Sequence, residues 1–302
     1  MVRHRQTAPN GPVAPRLGAG SARRPGTPDN LGVTTYDWIS FTTDYGEADG
    51  FVAACRGVIA RLAPGVRVID VSHQVPPQDV RRGAGVLAQT VPWLPPAVHL
   101  AVIDPGVGTP RRGLCVLAGP SVLVGPDNGL LLPAADKLGG PGAAYELENP
   151  KYWQPTVSAT FHGRDVFAPV AAHLCTGVEP SALGPALPVD SLVQPAIPLV
   201  AVGVARIEAE VQAVDGFGNA QLAATGADLA ASGLVPGSPI SVLLRRRTRR
   251  ALLGTTFGDV GHGELVVYVD SADFMAIAVN GGSAAAALDV RTGDTVLVTG
   301  AG

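Results

Sequence analysis

Two short segments contain the side chains best suited to acid–base chemistry. Residues 102–113, VIDPGVGTPRRG, place Asp104 and Arg111 on either side of a glycine-rich turn, and residues 160–165, TFHGRD, contain His162. The glycine spacing is neither that of a P-loop nor that of a dinucleotide-binding fingerprint. A carboxylate, a guanidinium and an imidazole can instead orient a small molecule and accept its proton.

Each of these side chains also has a structural explanation when it is taken alone. An aspartate at a strand end, such as Asp44 or Asp104, often caps a turn. A histidine such as His162 or His73 is more often a hydrogen-bonding group of the fold, and a loop arginine such as Arg111 is usually a solvated charge. No single residue therefore decides the function.

The elements that position these residues are predicted to be alternating strands and helices. Between the apolar runs lie two segments of helical periodicity, one after residue 50 and one after residue 78, which favours parallel strands with helices on both faces. Ligands of such sheets bind at the carboxyl ends of the strands. The predicted strands are 38–44, 66–72, 97–104, 114–119 and 121–126.

His162 directly precedes a further predicted helix, in which Asp165 is the N-cap or a first-turn acid. His162 is therefore expected near the positive end of a helix dipole, where a developing anion is favoured.

The composition predicts three regions. Residues 1–36 are rich in Pro, Gly, Ala and Arg and are expected to form a disordered tail. Residues 37–193 are expected to form the α/β catalytic domain. After a proline-containing linker, the β-rich residues 199–302 predict an antiparallel β-barrel.

Charge and cysteine content exclude several classes of protein. The net charge of −3 gives no reason to expect a nucleic-acid partner, and the RRRTRR segment at 245–250 is interpreted as a solvated hairpin. No apolar run is long enough to span a membrane. Three widely spaced cysteines predict reduced thiols in the cytoplasm, and no metal-ligand spacing is present.

Six motifs in fixed order resemble one family. They are FTTDYG (41–46), DVSH (70–73), IDPGVGT with two arginines (103–112), GPDNG (125–129), TFHGRD (160–165) and DGFGN (215–219). The chain resembles the S-adenosyl-L-methionine (SAM) hydroxide adenosyltransferases over roughly residues 39–300. These enzymes are relatives of the bacterial fluorinase and chlorinase.

The resemblance implies a homotrimer that binds SAM between subunits and converts SAM and water to adenosine and L-methionine. It implies no cofactor, because SAM is the substrate. The family's catalytic side chains correspond to Asp104, Arg111 and His162, hereafter the charged trio, which would hold the attacking water. Either His162 or Asp104 can accept the proton of that water.

The resemblance also implies substrate contacts. Asp44 would bind the ribose hydroxyls, and Asp215 the methionine ammonium. The remaining substrate-binding residues it implies are Phe217, Asn219, Ser271 and, near the adenine, Asn280. The halogenases have an arginine after the serine, whereas this chain has Ala272.

Two other functions are weighed against hydrolysis. A halide-dependent SAM halogenase with the same fold is disfavoured, because the Asp104 carboxylate would repel a halide. A non-catalytic SAM- or adenosine-binding protein would not need an intact charged trio.

Overall fold

The computed structural model describes residues 35–301. The tail predicted over residues 1–36 lies almost wholly outside the described residues. The described chain forms two sheets, one before residue 188 and one after residue 199.

The first sheet contains seven strands. Strands β2, β1, β3 and β5 are parallel neighbours in that order, and β4, β6 and β7 continue the sheet beyond β5 with antiparallel pairing. The parallel half confirms the predicted α/β class. The strands are β1 (Trp38–Thr43), β2 (Arg67–Ser72), β3 (Val98–Val102), β4 (Gly113–Ala118), β5 (Ser121–Pro126), β6 (Pro141–Glu146) and β7 (Ala186–Leu187).

Four helices cover both faces of this sheet, as the strand–helix alternation predicted. On one face, Cys55 and Ile59 of the first helix and Leu174 of the fourth pack on Phe41 of β1. On the other face, Leu87 of the second helix belongs to a separate core cluster. The helices are α1 (Phe51–Leu62), α2 (Val80–Thr90), α3 (Leu132–Lys137) and α4 (Ala168–Cys175).

The segment after His162 begins with a π-helical turn, Gly163–Phe167, which continues into α4. Asp165 lies in this first turn but does not cap the helix. Its buried carboxylate accepts from the guanidinium of Arg164 at 2.6 and 2.8 Å and from the backbone N–H of Ser158 at 2.9 Å. Of the two predicted roles for Asp165, only the first-turn position is correct.

The second sheet closes into a barrel of seven strands, because β10 pairs with both β14 and β9. The eighth strand, β8, pairs with β9 outside the ring. The barrel region also contains two short helices, α5 (Gly226–Ser232) and α6 (Ala284–Leu288). The strands are β8 (Val200–Gly203), β9 (Arg206–Val214), β10 (Ala220–Thr225), β11 (Pro239–Leu244), β12 (Arg247–Leu253), β13 (Leu265–Val269), β14 (Phe274–Val279) and β15 (Thr295–Gly300).

The barrel confirms the predicted fold class, with one parallel pair among its antiparallel neighbours. β12 and β13 run in the same direction, with Leu252 opposite Val266. The connection over residues 254–264 is long enough to return the chain to the starting end of the barrel, which a two-residue turn cannot do.

The arginine-rich segment is a hairpin, as expected. Arg245 and Arg246 form the turn between β11 and β12, both with positive φ, and Arg245 pairs with Asp294 at 2.8 Å and with Asp289 at 3.1 Å. These acids balance part of the positive charge of the hairpin.

Between residues 35 and 301, no helix combines the length and the apolar character that crossing a bilayer requires.

Helix α2 joins the sheet domain to the barrel. Arg81 forms an ion pair with Glu210 of β9, and the side-chain amide of Gln89 donates to that of Gln221 in β10 at 2.9 Å. Residues three and seven positions apart share one side of a helix, so the side of α2 that carries Gln89 also carries Arg82.

Candidate active site

The charged trio is brought together by two loops at the carboxyl edge of the first sheet. Asp104 follows β3, Arg111 precedes β4, and His162 immediately precedes the π-helical turn. Gly108 lets the two loops meet: its φ is +77°, and a Cβ placed there would lie 2.5 Å from the carbonyl oxygen of Ala159. Only glycine accommodates both that backbone angle and that close approach.

Arg111 hydrogen-bonds to both other members of the trio. Its Nε donates to Oδ1 and Oδ2 of Asp104 at 2.9 and 3.0 Å, and its Nη2 also contacts Oδ2. The same Nη2 lies 2.9 Å from Nδ1 of His162. The Asp104 side chain is only 6% exposed and that of Arg111 13%, so solvent screens this pair weakly.

These contacts determine the protonation of His162. Arginine can only donate, so Nδ1 of His162 must accept, and the ring is neutral with its proton on Nε2. Burial, and then the charge of Arg111, lower the pKa of His162 from its ordinary value, while Asp104 opposes the shift. Both the hydrogen bond and the pKa therefore favour a neutral imidazole.

Aromatic rings surround the trio. Phe167 lies beneath Arg111, with the guanidinium carbon 5.1 Å from the ring centroid. Tyr45, Phe51 and Phe161 pack edge-on or tilted against one another at 5.2 to 6.0 Å. Phe161 directly precedes His162, so this cluster lies beside the trio.

Asp44 lies at the same edge. β1 pairs with β3 so that Thr43 is opposite Val102, which places Asp44 and Asp104 at neighbouring strand ends. Oδ2 of Asp44 accepts from the backbone N–H of Gln78 at 2.8 Å, and Gln78 has a φ of +66°. The rest of the carboxylate remains available to a ligand.

His73, left open by the sequence, anchors the loop that carries Asp44. Its Nδ1 lies 2.8 Å from the hydroxyl of Thr43, and its Nε2 lies 2.9 Å from Oδ1 of Asp70. Its carbonyl oxygen accepts from the backbone N–H of Gly46 at 2.7 Å. With both ring nitrogens engaged and the side chain 3% exposed, His73 is a structural residue.

A second polar site lies on the barrel, in a cavity of about 830 Å³, hereafter the barrel cavity. Four of the predicted substrate-binding residues line it: Asp215, Phe217, Asn219 and Ser271. Oδ1 of Asp215 accepts from the backbone N–H groups of Phe217 and Asn219 at 2.9 and 2.8 Å. The Phe217 ring is 83% exposed and free to cover a ligand.

Asn280 does not line the barrel cavity. Its amide donates to the carbonyl of Val260 at 2.8 Å, and its own backbone groups bond to Gly263 and Glu264. The next two residues, Gly281 and Gly282, form part of the cavity wall.

The sequence motifs did not identify several residues that line the barrel cavity. Phe257 and Tyr268 pack edge-on with ring centroids 5.1 Å apart. Burial and the nearby carboxylates of Asp270 and Asp215 raise the pKa of Tyr268. Helix α2 adds Arg82 and Gln89. In the sequence, only the two adjacent arginines in the first turn of α2 could have indicated a ligand site there. Basic side chains are unfavourable at the start of a helix, so they suggest a role other than helix stability.

The trio and the barrel cavity are separate in one chain. The wall of the cavity contains none of Asp44, Asp104, Arg111 and His162. The residues predicted to act on the water and those predicted to bind methionine therefore line different sites in one chain.

Comparisons with family models and with known proteins all point to the same family. The model of the SAM hydroxide adenosyltransferase N-terminal domain matches residues 39–184, and that of the C-terminal domain matches residues 209–297. The chain is 59% identical over 262 residues to the (R)-S-adenosyl-L-methionine hydrolase of Salinispora arenicola, covering 87% of this chain and 97% of that protein.

One solved structure and one more distant relative complete the comparison. An uncharacterized conserved protein from Thermotoga maritima superposes with a TM-score of 0.82 at 35% identity, covering 86% of this chain and 99% of that one. The fluorinase of an Actinoplanes species is 29% identical over 291 residues, covering 86% of this chain and 97% of its own length.

Proposed function

The chain belongs to the SAM hydroxide adenosyltransferase family, and we propose that it hydrolyses SAM to adenosine and L-methionine. The observation that carries the proposal is the charged trio, in which Arg111 hydrogen-bonds to both Asp104 and His162. The name of the Salinispora relative specifies the (R) form of SAM, and we infer the same form as the substrate of this chain.

The reaction needs a nucleophile more than it needs an acid. The positive sulfur of SAM makes the ribose C5′ electrophilic. The water oxygen bonds to C5′ while the C5′–S bond breaks, and its electron pair stays on the sulfur of methionine. Because that leaving group is a neutral thioether, it requires no proton. The one proton released comes from the attacking water, so the water must be oriented and deprotonated.

We infer a different task for each member of the trio. His162 has no free acceptor nitrogen, since Nδ1 is occupied by Arg111 and Nε2 carries the proton. Its Nε2–H can donate to the water oxygen and fix its lone pairs. Asp104 accepts the proton of the water, because a carboxylate has about four acceptor positions and Arg111 does not use them all. Arg111 holds both partners in place.

Substrate binding is distributed over the two sites. Asp44 accepts hydrogen bonds from the ribose hydroxyls, and Asp215 pairs with the methionine ammonium. Ser271, Asn219 and the exposed ring of Phe217 complete the barrel side. The polar groups of Asn280 are already hydrogen-bonded, so we propose that it helps bind SAM only by positioning Gly281, which lines the cavity.

The resemblance to the family is the basis for proposing a homotrimer, and the different linings of the two sites support a site between subunits. In this arrangement the barrel cavity of one copy meets the charged trio of another, and SAM contacts both. We place the protein in the cytoplasm, where the free buried thiols of Cys55, Cys115 and Cys175 remain reduced. No cofactor is required, because the sulfonium itself activates the substrate.

Mixing two impaired variants tests the shared site. Asp104→Ala removes the base and Asp215→Ala removes the ammonium partner. If the site combines residues of two chains, co-expressed variants regain activity, because some interfaces contain neither substitution. Light scattering of the wild type should give three copies. A fully active monomer, or no regain in mixed oligomers, would contradict the proposal.

The hydrolysis itself is tested by product analysis. Purified chain with SAM in ¹⁸O-labelled water should release equal amounts of adenosine and methionine, with the label at the 5′ oxygen of adenosine. A parallel reaction in concentrated chloride tests the halogenase alternative, for which a 5′-chlorinated nucleoside is the diagnostic product. Binding of SAM without any product would identify a non-catalytic binding protein.

A further inference from the structure

The positive charge of Arg82 does not stabilise the helix that carries it. It lies in the first turn of α2, whose first-turn residues include no acid, and positive side chains are unfavourable at this end of a helix dipole. The neighbouring Arg81 is compensated by its ion pair with Glu210. Among residues 35–301, no acid forms an ion pair with Arg82.

Arg82 lines the barrel cavity from the side of α2. The helix is held against the barrel there, because Gln89 donates to Gln221, and Gln221 in turn donates to Asp270 of the cavity wall. Arg82 is partly buried and lines the same cavity as Ser271.

The other charged side chains of the cavity wall are acids. Its charged side chains besides Arg82 are Asp215 and Asp270. Oδ1 of Asp270 already accepts from the backbone N–H groups of Ala272 and Phe274 at 2.8 and 3.0 Å. The cavity thus presents carboxylates on the barrel and one cation from α2, a distribution that complements a zwitterion.

We propose that Arg82 binds the carboxylate of the methionine part of SAM and so selects substrates that carry this group. The inference rests on the proposed function, in which Asp215 takes the ammonium at the same end of the substrate. Ser271 is followed by Ala272, so the serine loop itself supplies no positive charge. Arg82 supplies it from a different element of the fold.

Discrimination against decarboxylated SAM, which keeps the sulfonium and the amine but lacks the carboxylate, tests the role of Arg82. The wild type should use SAM with a higher kcat/KM than this analogue. In Arg82→Gln the KM for SAM should rise about tenfold or more, since a charge-assisted hydrogen bond is lost, while kcat/KM for the analogue stays unchanged. The ratio between the two substrates should fall by the same factor.

Three further variants separate recognition from structural damage. Arg249→Gln removes the same charge from an exposed strand of the barrel and should leave the ratio unchanged. Arg82→Lys should recover part of the discrimination. The double variant Arg82→Gln, Ala272→Arg should also recover part of it, because it places a cation beside Ser271.

The outcomes are distinct. An Arg82→Gln protein that loses activity equally on both substrates, or keeps the wild-type ratio, overturns the role of Arg82 while leaving SAM hydrolysis intact. A wild type that forms no adenosine overturns the proposed function together with this inference. A fall in the ratio that the second-site arginine reverses supports the inference.

Discussion

The charged trio and the barrel cavity are organised in opposite ways. Asp104 and His162 are held by hydrogen bonds to another side chain, that of Arg111. The carboxylates of the cavity, Asp215 and Asp270, are held mainly by the backbone of their own loops. Asp104 and Arg111 are also largely enclosed, whereas the Phe217 ring at the cavity is 83% exposed.

This difference separates reactivity from recognition. A group that acts on water must have fixed geometry and protonation before the substrate arrives, and mutual hydrogen bonds provide both. A group that binds a flexible amino acid needs accessible charge on a stable loop. We therefore expect substitutions in the trio to affect turnover and substitutions in the cavity to affect affinity.

The largest effect is expected at Asp104. Asp104→Ala should lower kcat by about 10²- to 10⁴-fold with little change in the KM for SAM, because proton removal from water is lost. Asp215→Asn should raise KM about tenfold and change kcat much less, because its amide oxygen still accepts from the backbone of its loop. Steady-state kinetics of both variants measure the contrast, and equal effects on kcat and KM in the two proteins would remove it.

A smaller effect is expected where the loops of the trio meet. Gly108→Ala should lower the free energy of unfolding by about 1–3 kcal/mol and reduce activity, since the new methyl group would displace the backbone at Ala159. Gly233 has nearly the same φ, +74°, but open space around it. Gly233→Ala is therefore a matched control for the backbone strain alone.

Denaturant titration of the two glycine variants measures their stabilities. The loss should be greater for Gly108→Ala, and only that variant should lose activity. Equal losses of stability would show that the approach to Ala159 is not tightly constrained.

The smallest effect is expected from pH. Because burial and Arg111 lower the pKa of His162 from its ordinary value of about 6.5, the ring should remain neutral at pH 7. As the pH falls below 6.5 towards that lowered pKa, protonation of Nδ1 removes the acceptor of Arg111, so kcat should decline on the acid side. Stability should fall in the same direction, because the unfolded chain binds this proton more readily.

The pH profile of His162→Asn provides the control. Asparagine does not titrate, so the acid decline should be absent in this less active variant. An unchanged acid decline would assign it to a different group.

Much of the first domain was predictable from local pattern. The strands observed at Trp38–Thr43 and Arg67–Ser72 lie within one residue of the predicted ranges. The first is buried, as a nearly continuous apolar run predicts, whereas the second lies at the edge of the sheet and has no buried residue. The sequence also identified the charged trio through its motifs. The roles of these three residues in catalysis remain a prediction.

Other features depended on contacts that no local pattern contains. Of the two roles predicted for Asp165, the N-cap is not formed, because its carboxylate accepts hydrogen bonds from Arg164 and Ser158. The parallel pairing of β12 and β13 depends on the path of the connection between them. Asn280 turns its amide to Val260, twenty residues away, rather than to the cavity.

The sequence by itself determined the alternation of strands and helices and the β-rich second half, because these follow from apolar periodicity. It indicated the charged trio through motifs that resemble those of one family. Only the tertiary structure decided that Arg111 hydrogen-bonds to both Asp104 and His162, and that Nδ1 of His162 therefore carries no proton. It also decided that Arg82 lines the barrel cavity. The reason is physical: hydrogen bonds and pKa values depend on distance, orientation and burial, and these are set only when segments far apart in the chain pack together.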